Sequence, residues 1–145
     1  MTGSADPYDL ERFVQAQDLD GTYDRALAEL HHGRKTSHWI WFVFPQIAGL
    51  GSSPTAQRYA IGSLAEATAY LAHPVLGPRL RDAARAMLAG DAGRAETVLG
   101  SIDAIKLRSS MTLFHRADPD EPVFTAVLDR FYGGRDDPAT DELLA

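Results

Sequence analysis

The chain predicts an all-α or mainly α fold, a compact single-domain bundle of about six to eight helices with no substantial sheet. Three observations carry this. Apolar residues recur at three- and four-residue intervals through most of the chain. Helix starts and stops are marked by capping side chains, prolines and glycines. No segment alternates apolar and polar residues as a half-buried strand would. At 145 residues the chain is long enough for one domain over 1–145 with a core of its own. The first five residues are expected to be flexible.

The elements follow in order. Asp6-Pro7 reads as a cap with proline at the first helical position, and Leu10, Phe13, Val14 and Gln17 then share a face. Asp20-Gly21 breaks that helix. A second helix carries Tyr23, Ala26, Leu27 and Leu30, and Gly33 stands where a left-handed terminal residue is needed. Arg34 and Lys35 suit the negative end of its dipole. Trp39 to Phe44 is a continuous apolar run that periodicity cannot assign to strand or buried helix, and Pro45 ends it. If the run is extended, Trp39, Trp41 and Val43 share one face, and Phe42 and Phe44 the other.

Gly49 to Pro54 is a tight loop in which Ser53 caps and Pro54 opens a short helix. Ser63-Leu64-Ala65-Glu66 is a capping box, starting a helix with Leu64, Ala67, Tyr70 and Leu71 that stops before Pro74. Leu76, Leu80, Ala83, Ala84, Met87 and Leu88 keep helical spacing up to Gly90. A short segment around Val98-Leu99 precedes Gly100. Ser101 is expected to cap the next helix, with Ile102, Ile105, Ser109, Thr112 and Leu113 on its buried face. After a turn at Asp118 to Pro122, Phe124, Val127, Leu128 and Phe131 form a last long stripe, closed by Gly133-Gly134. Asp137-Pro138 starts a short C-terminal turn of helix.

Composition excludes several function classes. With 45% hydrophobic and 23% charged residues, the chain is an ordinary globular protein rather than a disordered one. A net charge of −6 argues against non-specific binding to nucleic acid. The absence of cysteine removes disulfides, thiolate metal sites and thiol catalysis. No apolar run approaches the roughly 18 residues of a membrane span. The N-terminal residues lack the basic and apolar parts of a signal peptide, so a soluble, cytoplasmic protein is expected. The His-Glu-x-x-His pattern is missing, and no metal site or cofactor is expected.

Two polar clusters remain as candidates for chemistry. In the first, Lys35, Ser37 and His38, preceded by Arg34, could hold a phosphate or carboxylate, with His38 as a general acid–base. They abut Trp39 and Trp41, either of which could stack a ring, although core packing is the commoner use of such a run. Gln46 and the loop containing Ser52 follow. In the second cluster, Lys106 and Ser109 lie a turn apart, with Asp103 at the three-residue spacing of a helical ion pair. Serines at 109 and 110 in mid-helix call for a packing or ligand reason. Against each functional reading stands a plain structural one: solvated cations, capping serines and a close helix–helix contact.

These motifs resemble the family labelled Domain of Unknown Function 1810, some members of which are called calpastatin-like. The resemblance rests on Asp6-Pro7-Tyr8-Asp9-Leu10-Glu11-Arg12-Phe13, on Gly33-Arg34-Lys35 with Ser37 to Gln46, and on Gly49-Leu50-Gly51-Ser52-Ser53. It extends through Tyr59-Ala60-Ile61, Glu66-Ala67, Tyr70 to Pro74 with Leu76-Gly77, and Asp103 with Lys106 and Ser109 to Phe114. It implies a compact, mainly helical fold and supplies no catalytic residues. Asp18 to Thr22 looks longer than the usual first connection. The order of the motifs is also distantly similar to that of the NADAR proteins, associated with ADP-ribose chemistry; no residue is carried over from them.

The resulting expectation is a binding site, or an enzyme, for an anionic, nucleotide-like or phosphorylated small molecule, with N-glycosidic hydrolysis as one candidate reaction. Lys35 and Lys106 would hold the anion and Trp39 or Trp41 would stack a ring. Ser37, Gln46, Ser52, Tyr59 and Ser109 would add ligand contacts, and His38 and Glu66 would move protons. This reading requires Lys35, His38, Tyr59, Glu66 and Lys106 to converge on one cleft. The alternative is a non-catalytic module that binds a peptide or protein in an aromatic groove. No particular protein partner is indicated.

Overall fold

Capping and punctuation residues divide the chain into ten α-helices among the residues described, 6–145, in this computed structural model. They are α1 (Glu11–Asp18), α2 (Thr22–His31), α3 (Ile40–Val43), α4 (Pro54–Arg58) and α5 (Leu64–Ala72), then α6 (Leu76–Ala89), α7 (Ala95–Leu99), α8 (Ser101–Ala117), α9 (Pro122–Tyr132) and α10 (Pro138–Leu144). Three of them, α3, α4 and α7, are single turns of four or five residues. The expectation for residues 1–5 lies outside the described residues. Among those described there is no strand; one parallel bridge joins Ile47 and Ile61. The fold is all-α.

Most boundaries follow from local chemistry. Asp6 does cap, its carboxylate accepting from the Leu10 and Glu11 amides, but α1 begins only at Glu11. The intervening residues form a turn in which Asp9 takes a positive φ of 51°. The connection at Asp18 to Thr22 is a 3-10 turn, Leu19–Gly21, with Asp20 and Gly21 both left-handed. Gly33, at φ 78°, ends α2 as expected. Ser53 and Ser63 both cap their helices through the hydroxyl. Glu66 accepts from the Gly62 amide, one residue earlier than in a standard box, while its other oxygen is held by Arg12.

The apolar run at 39–44 resolves as helical. Trp39, Ile40, Val43 and Phe44 are buried, at the three- and four-residue spacing of one helix face, whereas Trp41 and Phe42 are partly open. α8 lies at the centre, against α5, α7, α9 and α10. Of the expected buried face, Ser109, Thr112 and Leu113 are buried, together with Ala104, Leu107, Met111 and Phe114, while Ile102 and Ile105 are 70% and 66% exposed. Both isoleucines occupy the lip of a cleft. Ser101 does not cap; Gly100, at φ 85°, turns the chain directly into the helix. Each fully buried Leu, Ile, Phe or Met contributes about 1.5–3 kcal/mol, so this packing holds the helices that frame the site.

Candidate functional site

The segment following Gly33 is organised by a residue outside it. Glu29, on the last full turn of α2, is buried and accepts four hydrogen bonds. The amides of Thr36 and Ser37 donate to Oε1 at 2.8 and 3.1 Å, and Trp39 Nε1 donates to the same oxygen at 2.9 Å. Ser37 Oγ donates to Oε2 at 2.6 Å. Burial works to raise the Glu29 pKa, but the Ser37, Thr36 and Trp39 donors together outweigh it and bring it down to about 2. The loop is therefore wrapped around an anion supplied by the protein. Ser37 is occupied by it, and Trp39, fully buried, has no face free for a ligand.

With the loop so fixed, Lys35 reaches α8. Its ammonium lies 2.9 Å from Asp103 Oδ2, and Lys106 Nζ lies 3.6 Å from Oδ1 of the same carboxylate. Lys35 Nζ sits 5.2 Å from the Trp39 ring centre and Lys106 Nζ sits 5.0 Å from that of Trp41. Two polar clusters some seventy positions apart thus share one counter-ion. The cluster carries a net positive charge, and Lys106, with the longer contact, is the more open of the two cations.

Lys106 also lines a cleft of about 480 Å³. Trp41, Leu50, Ile102 and Ile105 supply its apolar surface, and Gln46, Ser52, Ser109 and Asp137 its polar groups. α8 forms the floor, the loop from Leu50 to Ser53 one wall, and the start of α10 the other. Gly49 is held at φ 106° against Leu143, so loop and α10 meet at one end. Asp137 Oδ2 accepts from Ser109 Oγ at 2.7 Å and from Thr140 Oγ1 at 2.6 Å. Burial raises the Asp137 pKa, but the Thr140 and Ser109 hydroxyls, the Ala139 amide and the Arg108 charge outweigh it and hold the carboxyl below its usual range. Trp41, Gln46, Ser52, Lys106 and Ser109 are accordingly gathered in one place.

The remaining sequence-derived candidates lie elsewhere. Lys35 stands behind Lys106, across Asp103, and is not part of the cleft lining. His38 is exposed and also off the lining. Glu66 pairs with Arg12 at 2.9 Å, both side chains nearly buried. That arginine also donates to the carbonyls of Tyr8, Asp9, Arg58 and Ala60. Tyr59 packs in the same region, against Phe13 and Phe42. Lys35, His38, Tyr59, Glu66 and Lys106 therefore do not meet in a single cleft. Instead, Glu66 and Tyr59 belong to the joint that fixes α1 to the start of α5. Ser110 is fully buried, its hydroxyl has no partner among the described residues, and the cleft does not reach it.

Sequence reasoning missed Glu29 and Asp137. A glutamate within a helical stretch carries no local signal, because its ligands come from residues seven to ten positions later. Asp137 did carry one, as the residue before Pro138, but that signal speaks only of a helix start. Its second role depends on Ser109, twenty-eight positions away.

The chain is similar to the conserved hypothetical protein Rv1873 from Mycobacterium tuberculosis, whose crystal structure at 1.38 Å superposes with a TM-score of 0.92 at 50% sequence identity. The match covers 96% of this chain and 98% of that one. No curated protein matches. No helix among the described residues is long and apolar enough to cross a membrane. The family model described as protein of unknown function DUF1810 matches residues 7–144, and the chain belongs to that family.

Proposed function

We propose that the cleft beside Lys106 binds a nucleotide-like or phosphorylated small molecule. One observation carries this reading: an ammonium group, held by Asp103 but not neutralised within its cluster, lies against a half-buried tryptophan at the wall of a concave site. Lys106 would take the anionic group, with Lys35 adding charge from behind Asp103. Trp41 would offer a ring edge or face, and Gln46 and Ser52 would supply neutral hydrogen bonds. Lys106, with Lys35 behind it, gives this wall of the cleft a local positive charge despite the overall charge of −6. N-glycosidic hydrolysis by His38 and Glu66 gains no support, since neither side chain lines the cleft. Binding is the reading that the geometry supports best.

The test is a thermal-shift series with AMP, ADP-ribose, NAD and inorganic phosphate on the wild type and on Lys106→Ala. A ligand present at a hundredfold excess over its dissociation constant should stabilise the protein by about 3 kcal/mol. Lys106→Ala should lose most of that shift while keeping the unliganded midpoint within a few degrees. Equal shifts in both proteins would sink the proposal.

The peptide-binding alternative has a single observation in its favour, the exposed Ile102 and Ile105 at the lip. Trp39 adds nothing to it, being buried.

A further inference from the structure

We propose that Asp137 makes the cleft selective for phosphates that carry a hydroxyl-bearing sugar, by accepting hydrogen bonds from the sugar while Lys106 holds the phosphate. The inference rests on the binding role proposed for Lys106 and goes on to name the ligand class. Its basis is the geometry of the carboxylate. Oδ2 is filled by two hydroxyl donors, from Ser109 and Thr140. Among the described residues no side chain donates to Oδ1, although Asp137 lines the cleft. An ionised carboxylate that receives two hydroxyls and the Ala139 amide still has acceptor capacity left, and those donors fix its orientation before any ligand arrives.

Position sets what it accepts from. Ser109, which holds the acceptor, and Lys106 are three residues apart on α8, so their Cα atoms are displaced by about 4.5 Å along the helix axis, and the ammonium reaches back toward Asp103. A pentose carrying a phosphate on its exocyclic carbon has its anion and ring hydroxyls separated on that scale. A second anion at the Asp137 end would be repelled, which disfavours a ligand with phosphates at both poles. A purely apolar tail would cover Oδ1 without offering it a donor. Gln46, half-buried on the same lining, has a carboxamide that can both donate to and accept from such a ring.

Isothermal titration of the full chain with ribose 5-phosphate, n-pentyl phosphate, inorganic phosphate and AMP tests the idea. The wild type should bind ribose 5-phosphate about tenfold or more tightly than n-pentyl phosphate, which has the same anion and carbon number without the hydroxyls. Asp137→Asn should erase that preference, while inorganic phosphate should bind no more weakly than to the wild type, because a repelling charge has been removed. Equal binding of the two organic phosphates by the wild type would overturn the proposal without any reliance on the variant's folding. A preference retained in Asp137→Asn would overturn it too, and would leave the Lys106 reading standing. If no phosphate binds the wild type, both fall. AMP separates the two sources of the sugar: tighter binding than ribose 5-phosphate points to a nucleotide and weaker binding to a free sugar phosphate, and either agrees with the proposal if Asp137→Asn weakens both.

Discussion

At the residue scale, Glu29 shows how a signature can be read for the wrong partner. Arg34, Lys35, Ser37 and His38 look like an anion-binding set, and Ser37, joined by the Thr36 amide and by Trp39, does bind an anion, the Glu29 carboxylate of α2. Its pKa, lowered from 4.5 to about 2, ties stability to pH. A group whose pKa is depressed on folding stabilises the native state above its unfolded value and loses that contribution as pH falls through the folded one. The window is therefore between about 4.5 and about 2, and the contribution above it is on the order of 3 kcal/mol. Glu29→Gln keeps the shape but presents an amide to donors that need an acceptor. It should lower the midpoint of thermal unfolding at neutral pH by roughly 10 °C and flatten the acid limb over the same window. An unchanged midpoint would show that the loop is held by other contacts.

At the element scale, the joint between α5 and α6 accounts for another run of motif residues. His73 Nδ1 accepts from the amides of Val75 and Leu76, acting as the cap that α6 otherwise lacks. Gly77 brings the first turn of α6 against the end of α5, where an added Cβ would stand 2.1 Å from the Leu71 carbonyl oxygen. Backbone, not a flexible side chain, is in the way. Gly77→Ala should cost about 2–4 kcal/mol in denaturant unfolding, as overpacking at a rigid contact does. A cost below that of an ordinary surface change would mean the helices can slide apart. Such local logic was largely legible in the sequence, because caps, prolines and left-handed glycines act within four residues of themselves. The buried face at the start of α8 was not, though Ser109, Thr112 and Leu113 further along it were. Ile102 and Ile105 fit the period of a buried stripe as well as Ala104 and Leu107 do, and only the placement of α7, α9 and the cleft decides between them.

At the scale of the whole molecule, the candidate site exists only because distant segments are tied together, and periodicity says nothing of such ties. The sequence singled out Lys106 and Ser109 as a cluster, but one wall beside them comes from the segment that Asp137-Pro138 marked only as a short turn of helix. That segment is fastened to α8 along its length. Arg108 donates to the carbonyls of Arg135 and Asp136, and Thr112 Oγ1 accepts from the Asp137 amide. Arg116 pairs with Asp136 at 2.6 Å and holds both carboxylate oxygens of Asp141, at 2.9 and 3.0 Å. Forked contact of this kind fixes orientation as well as distance. The side chains remain 30–42% exposed, so solvent screening limits the effect on global stability to about 1 kcal/mol. Its larger consequence is local. Arg116→Met should keep the stem packed and leave the unfolding midpoint only slightly lower. It should nevertheless speed hydrogen exchange at the α10 amides and weaken phosphate-sugar binding, because Asp137 and Ala139 would no longer be held in place as a cleft wall. Unaltered exchange in α10 would show that Arg108, Thr112 and Leu143 suffice to hold the wall. In that event any weakening of ligand binding would have to come from the lost positive charge alone, a distinction that salt dependence resolves, since a charge effect fades as ionic strength rises and a misplaced wall does not.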